Sequence, residues 1–218
     1  MRQVAVELFD PVREGRLQAV QREIATCTRC VEAGYIPAAN PIFRGGSAHR
    51  RMIVGQAPGP RADRSGVPWS GASGTLLRRW LAMAGYDPDR FLDDWYFTSL
   101  TKCFPGKAKG GAGDRAPSAR ERALCRCHLD AEIDLVRPRL VMTLGRMAAD
   151  ALIPGARTMS LGELVRSTHR VDLGYGPVAI VALPHPSGVG RWLNDAGNRA
   201  LVEQAMGRLA ALRAELDV

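Results

Sequence analysis

Apolar runs and helical stripes alternate along this chain. Met52-Ile53-Val54, Trp95 to Leu100, Leu140 to Leu144 and Val178 to Leu183 are short runs bounded by Gly, Pro or charge. They predict four buried strands. Between them, apolar side chains recur at near-helical spacing: Val12, Leu17, Val20 and Ile24; then Leu76, Leu77, Trp80, Leu81 and Ala84; then Leu124, Leu129 and Ile133; then a short segment from Arg146 to Leu152; and finally Ala200, Leu201, Ala205, Leu209 and Leu212. Ser118-Ala-Arg-Glu121 is a capping-box pattern that opens the third of these helices. Strands alternating with helices imply an α/β fold, a three-layer α/β/α arrangement around a central, mainly parallel four-stranded sheet covered on both faces. Residues 156–176 are mixed, with His169 in a candidate edge strand. No internal repeat and no second core are visible, so residues 1–218 read as a single domain, with the helix and Cys-x-x-Cys of 12–30 packed on it.

The stretch from Met52 to Gly74 organises this pattern. Its strand breaks into Gly55-Gln56-Ala57-Pro58-Gly59, continues as loop through Asp63-Arg64-Ser65-Gly66 and Pro68-Trp69, and ends at Gly71-Ala72-Ser73-Gly74 before a helix. That order places ligand contacts at the carboxyl end of a strand. Ser73 is an N-cap candidate, and the helix start beyond it offers free N–H groups to an anion. An ordinary crossover with a glycine-rich surface loop has the same pattern. At the far end of the chain, His185 lies between Pro184 and Pro186 at the carboxyl end of the fourth strand. The two prolines make a rigid shelf for the imidazole on the same sheet edge. His128 falls mid-helix, where a surface position is expected.

Composition excludes several classes. At 218 residues and 46% hydrophobic, the chain has enough apolar material for a sizeable core. No run approaches the roughly 20 apolar residues that span a bilayer. The acidic N-terminal stretch lacks a signal-peptide core, so the cytoplasm is the expected location. The net charge of +8 suits a polyanionic partner, although an Arg-rich composition alone also accounts for it. Five cysteines in such a compartment are not expected to form disulfides. Cys27-Thr-Arg-Cys30 with Cys103 and the Cys125-Arg-Cys127 pair can supply four thiolates to a metal or an iron–sulfur cluster, leaving one cysteine over. Buried core cysteines are the bland alternative. Between Cys103 and Pro117 the chain is glycine-rich, with Lys107, Lys109 and Arg115. Such a loop can follow a phosphate backbone or merely link two cluster ligands.

Gly55–Gly74 together with Pro184-His185-Pro186-Ser187-Gly188 resembles the two motifs of the uracil-DNA glycosylase superfamily. The cysteine pattern, with Lys102-Cys103 and Arg115-Ala-Pro117 ahead of Cys125, is similar to its iron–sulfur branch, family 4. The resemblance spans about residues 20–210. It implies a [4Fe–4S] cluster on Cys27, Cys30, Cys103 and Cys125, with Cys127 over. It also implies an enzyme that extrudes uracil or another deaminated base from DNA and hydrolyses its N-glycosidic bond, acting as a monomer with no membrane partner. His185 would stabilise charge on the departing base, and Trp69 would stack on it in place of the family's usual Phe. Ser73 and Ser187 would grip phosphates, as would Lys107 and Lys109, with Arg191 and Trp192 entering the vacated duplex space.

The chain departs from that family at informative places. Gln56 replaces the Glu of the first motif, so it can position water but carries no charge. Ala57 and Ala72 stand where other branches carry polar residues, and Gly59 lacks the bulk that excludes larger bases. Ser99 stands where an Asn reads the uracil edge, and a hydroxyl either donates or accepts. The reading taken forward is a glycosylase with altered or broad specificity. The alternative is a catalytically weak protein that binds damaged DNA. A third reading, which sets the resemblance aside, is a cluster- or zinc-bearing protein for a phosphorylated ligand.

Overall fold

A computed structural model describes residues 10–110, 113–187 and 191–216. The first helix, α1 (Pro11–Ala25), is capped by Asp10, whose carboxylate accepts from the N–H groups of Val12 and Arg13. A short turn, α2 (Arg29–Glu32), carries the second cysteine of the Cys-x-x-Cys. Strand β1 (Arg51–Gly55) leads through α3 (Pro60–Ser65) to α4 (Ala72–Met83). The turn α5 (Phe91–Asp94) precedes β2 (Tyr96–Ser99). Helix α6 (Ala119–Val136) opens on the Ser118–Glu121 capping box and ends at Arg137, which is in the left-handed region. Then come β3 (Leu140–Leu144), α7 (Arg146–Leu152), α8 (Leu161–Arg166), β4 (Thr168–Asp172), β5 (Pro177–Leu183) and α9 (Ala196–Leu216).

The sheet order is β2-β1-β3-β5-β4. The first four strands run parallel, and β4 pairs antiparallel with β5. Five strands therefore replace the expected four. The extra one is the edge strand bearing His169, whose alternating half-buried pattern gives a weaker signal than the fully apolar central runs. Three local expectations also change. The loop after β1 contains a helix, because Pro60 sits at its first position and Gly66 closes it with φ +69°. Gly71, not Ser73, is the N-cap of α4, which moves Ser73 into the first turn. His128 is buried rather than on the surface, because α6 turns that face toward the cysteines.

Alternate residues of each strand feed two cores. Ile53, Phe97, Met142 and Val181 pack with α4 and α9. Met52, Val54, Tyr96, Val141 and Ile180 pack with α1, α6 and α7. Sheet order reverses at β1, whose crossovers lie on opposite faces, so the carboxyl ends of β1, β2, β3 and β5 open a crevice at the switch point.

One polar element is sealed inside the second core. Lys102 Nζ lies 2.6 Å from Glu132 Oε2, and their side chains are 2% and 0% exposed. The ammonium also donates to Thr98 Oγ1 and to the Ser99 carbonyl, at 2.5 and 2.8 Å. The Glu132 carboxylate accepts from the Tyr96 and Thr98 hydroxyls at 3.0 and 2.6 Å. Removing one partner of such a pair strands the other charge in a dry site. We expect Glu132→Ala to lower the unfolding free energy in urea by about 3–5 kcal/mol. The double change Lys102→Met with Glu132→Leu should recover part of that loss.

Candidate active site

The crevice holds an open cleft of ≈ 630 Å³. Its floor is the end of β1, Gly55 to Gly59, and its walls come from Trp69, the first turn of α4, the end of β2 at Thr98 and Ser99, and His185 with Ser187 after β5. Local geometry explains why these residues meet. Gly55 pairs with Ser99 in register, and the N–H groups of Leu100 and Thr101 bond to the carbonyls of Gly55 and Gln56. Trp69 takes φ +55°, a left-handed conformation that costs a non-glycine residue about 1 kcal/mol or more. Its indole lies against Gly55, where a Cβ would approach Trp69 Cζ2 to 3.2 Å. Its carbonyl rests on Gly74, where a Cβ would lie 1.6 Å from that oxygen. Trp69 and His185 face each other with ring centroids 5.9 Å apart and planes tilted by 39°.

His185 is half-exposed on its outer edge, with Pro184 and Pro186 buried beside it, and its Cβ sits 3.4 Å from where a Cβ on Gly145 would be. Burial of the ring lowers its pKa below 6.5, so the imidazole is neutral at pH 7. Gln56, Ala57, Gly59, Trp69, Ser73, Ser99 and Ser187 all line the cleft. A Cβ on Gly59 would meet nothing within 4 Å, so the cleft is open there. Lys107 and Lys109 are exposed on the loop beyond it, and Lys107 is paired with Asp114 at 2.7 Å. Arg191 is exposed at the start of a 3-10 turn, Arg191–Asn194. Gly188 of the second motif lies outside the described residues.

Two charged residues of the lining, Arg61 and Asp114, were given no role by the sequence reading, and Arg115 of the basic loop joins them there. Arg61 is placed by the turn of α3, which the Pro60…Gly66 punctuation could have signalled. Asp114 is the one acid among the described residues of the lining, and its partner is Lys107. Asp63, by contrast, is not in the lining; its carbonyl accepts from the Asn40 amide.

Behind the cleft, a second cavity is lined by Cys27, Cys30, Cys103 and Cys125. Cys127 is exposed outside it, where its sulfur accepts from Arg29 Nη1 at 2.9 Å. Burial pushes the thiol of Cys30 up to about 11 and that of Cys103 up to about 12, with the charges of the neighbouring cysteines adding to both. Four thiolates lining one cavity would need a cationic centre to offset their charge. Among the described residues, no group of three or more His, Cys, Asp or Glu is spaced to hold one metal ion. A four-iron cube is larger than an ion and takes thiolates that stand further apart. The cavity also contains two orphaned polar atoms, His128 Nε2 and Thr101 Oγ1, both buried with no protein partner. Unpaired buried donors of this kind are rare and fit a polar guest with sulfur acceptors. The backbone N–H of Lys102 donates to Cys125 Sγ at 3.4 Å. Arg115, which lines the cleft, forks onto Glu121, which lines the cysteine cavity, with two 2.7 Å bonds. Burial raises the Glu121 pKa, but Arg115 and the Ser118 N–H outweigh it and hold the carboxyl down to about 2.

The chain is thus an α/β protein with an open cleft on the carboxyl edge of a parallel sheet, where an aromatic slab meets a histidine shelved between two prolines. The chain belongs to the uracil DNA glycosylase superfamily, whose family model matches residues 44–209. It is similar to the type-4 uracil-DNA glycosylase of Archaeoglobus fulgidus, 27% identical over 179 residues, 79% of this chain and 82% of that one. It is 30% identical to the type-4 uracil-DNA glycosylase of Pyrobaculum aerophilum over 175 residues, 79% of this chain and 84% of that one. A type-5 uracil-DNA glycosylase from the same organism is 34% identical over 146 residues, 59% of this chain and 61% of that one.

The contact between Gly74 and Trp69 makes a specific demand. In an ordinary helix interior, Gly→Ala stabilises by roughly 1 kcal/mol. Here Gly74→Ala should instead lower the melting temperature and move the indole, because the new methyl overlaps the Trp69 carbonyl. Thermal unfolding and Trp69 fluorescence check this, and a stabilised protein with unchanged fluorescence would refute it.

Proposed function

We propose that this chain is a DNA glycosylase that takes uracil, or a related deaminated base, out of DNA and hydrolyses its N-glycosidic bond. The observation that carries this reading is the Trp69–His185 pair, 5.9 Å apart across a cleft at the sheet's switch point, in a chain of this superfamily. A base that enters the cleft stacks on the indole of Trp69. The neutral imidazole of His185 donates an N–H to the oxygen on which negative charge develops as the bond breaks. Ala57 and Gly59 give the base room along the floor. Gln56, being uncharged, positions the attacking water through its amide and leaves stabilisation of the sugar cation to the DNA's own phosphates. Those phosphates are held by Ser73 and the free N–H groups at the start of α4, by Ser187, and by Lys107, Lys109 and Arg191 outside the cleft.

Cys27, Cys30, Cys103 and Cys125 are the residues that would hold a [4Fe–4S] cluster. When bound, it supplies a covalent cross-link between the Cys-x-x-Cys, the end of β2 and helix α6. Among the described residues, no helix is long and apolar enough to cross a membrane. In this reading the protein works in the cytoplasm, as a single copy on the DNA. The damage-binding alternative draws support from the cleft's lack of any carboxylate except the ion-paired Asp114.

Single-turnover assays on oligonucleotides carrying uracil, hypoxanthine or xanthine separate the two readings. Release of any of them is expected, whereas tight binding without release would leave only the binder. His185→Ala should slow release by about 10²–10³-fold with DNA affinity nearly unchanged. Because burial lowers the ring's pKa from its ordinary value, the contribution of His185 should be level toward alkaline pH and should change as acid protonates the ring. The same protonation removes folding stability below pH 6.5, since the buried ring resists charge more than the unfolded one does. Iron analysis checks the cysteines: Cys125→Ser should lose the brown chromophore and its iron, and Cys127→Ser should keep both.

A further inference from the structure

The cysteine cavity carries two side chains for which a set of four thiolates has no need. His128 Nε2 and Thr101 Oγ1 are buried without a hydrogen-bond partner among the described residues. The two residues are 6% and 4% exposed, and both line the cavity with Cys27, Cys30, Cys103 and Cys125. Each comes from a segment that also bears one of those cysteines. His128 follows Cys125 by three residues on α6, so the two share a helix face. Thr101 stands two residues before Cys103, and its N–H is tied to the Gln56 carbonyl. An apolar side chain at either position would fill the same space and strand no polar atom. Buried polar groups are nearly always paired, so two orphans at one cavity point to acceptors that its guest brings.

We propose that His128 and Thr101 donate hydrogen bonds to the sulfur atoms of the [4Fe–4S] cluster and thereby set how readily it accepts an electron. Thiolate and sulfide sulfurs offer only lone pairs. The imidazole therefore carries its N–H on Nε2, and the hydroxyl gives its single proton to the same guest. The Cys125 sulfur already accepts from the Lys102 N–H at 3.4 Å, so the two side chains extend a donor set that the backbone begins. Donors at sulfur stabilise the negative charge that reduction adds, and such hydrogen bonds are one of the levers that fix the potential of a cluster. Both residues are positioning residues for that charge, and neither lines the base cleft. The inference rests on the cluster part of the proposed function and not on base release.

The test uses the full-length protein with its cluster. It reads the one-electron reduction by dithionite in a potentiometric titration followed by electron paramagnetic resonance. Thr101→Val and His128→Phe remove the donors and keep most of the side-chain volume. Each is expected to shift the reduction equilibrium about tenfold against reduction, a potential about 59 mV more negative for one electron. His128→Gln, which keeps an N–H, should stay near the native value, as a role in packing alone would not require. With nitrogen-15 in the histidine rings, the reduced native protein should show a ring-nitrogen hyperfine coupling that His128→Phe lacks. That coupling decides for His128 even where the Phe variant fails to hold iron, and its absence from the native protein would overturn the assignment. Native-like potentials in Thr101→Val and His128→Phe, or a native cluster that dithionite does not reduce, would overturn the proposal as a whole. Iron content and base release are measured alongside. A native protein without iron removes the cluster reading and this inference with it, whereas iron with unmoved potentials removes this inference alone. Shifted potentials without base release remove the enzymatic reading and leave the donors standing.

Discussion

The ion pair between Lys102 and Glu132 is the interaction on which both cavities depend. Its charges are dry, and each is used more than once: the ammonium by Thr98 and the Ser99 carbonyl, the carboxylate by Tyr96 and Thr98. A buried pair is weak evidence for stability, because desolvation offsets most of the attraction. What it supplies is position. Lys102 stands between the cysteine at 103 and the strand end at 98–99, and its backbone N–H reaches Cys125. One lysine therefore ties the wall of the cleft at Thr98 and Ser99 to the wall of the cysteine cavity.

On the opposite wall, position is obtained through backbone strain. Trp69 adopts a left-handed conformation, and its carbonyl occupies the space that any side chain at 74 would fill. Strain of this sort persists only where surrounding contacts over-determine it. Gly55 below the indole and His185 across from it supply those contacts. The result is an indole and an imidazole held 5.9 Å apart between ring centroids, with Ser99 in the lining of the same cleft.

The electrostatics of the cleft are as telling as its shape. The imidazole stays neutral through burial, and the one lining carboxylate among the described residues is tied to a lysine. Arg61 and Arg115 border the same space. A site of this sign is suited to an anion-bearing strand, and under the proposed function it would leave the positive charge of a breaking glycosidic bond to be met by the substrate's own phosphates. That division of labour follows directly from having Gln56 where a carboxylate would stand.

Much of this was legible from residue order alone. The four central strands, the capping box at Ser118, the Cys-x-x-Cys and the His between two prolines are local patterns, set by periodicity, Pro and Gly, and sequence reports such patterns well. The helix inside the loop after β1 and the true cap of α4 were missed or misplaced, because each is decided by a neighbour rather than by its own composition, and the edge strand around His169 showed only as a candidate because its face is half-exposed. Burial of His128 and the exclusion of Cys127 depend on which face of α6 meets α1 and α2, a rotation that spacing does not reveal. The sequence by itself determined which strands and loops meet at one edge of the sheet and pointed to the residues that line the cleft there. Only the tertiary structure decided that the Ser99 hydroxyl donates to the Thr101 carbonyl, that Asp114 pairs with Lys107 and that Lys102 of the cysteine cavity also holds Thr98 and Ser99 of the cleft. Hydrogen-bond polarity and buried pairing are fixed by contacts between residues far apart in the chain, and no local pattern encodes them.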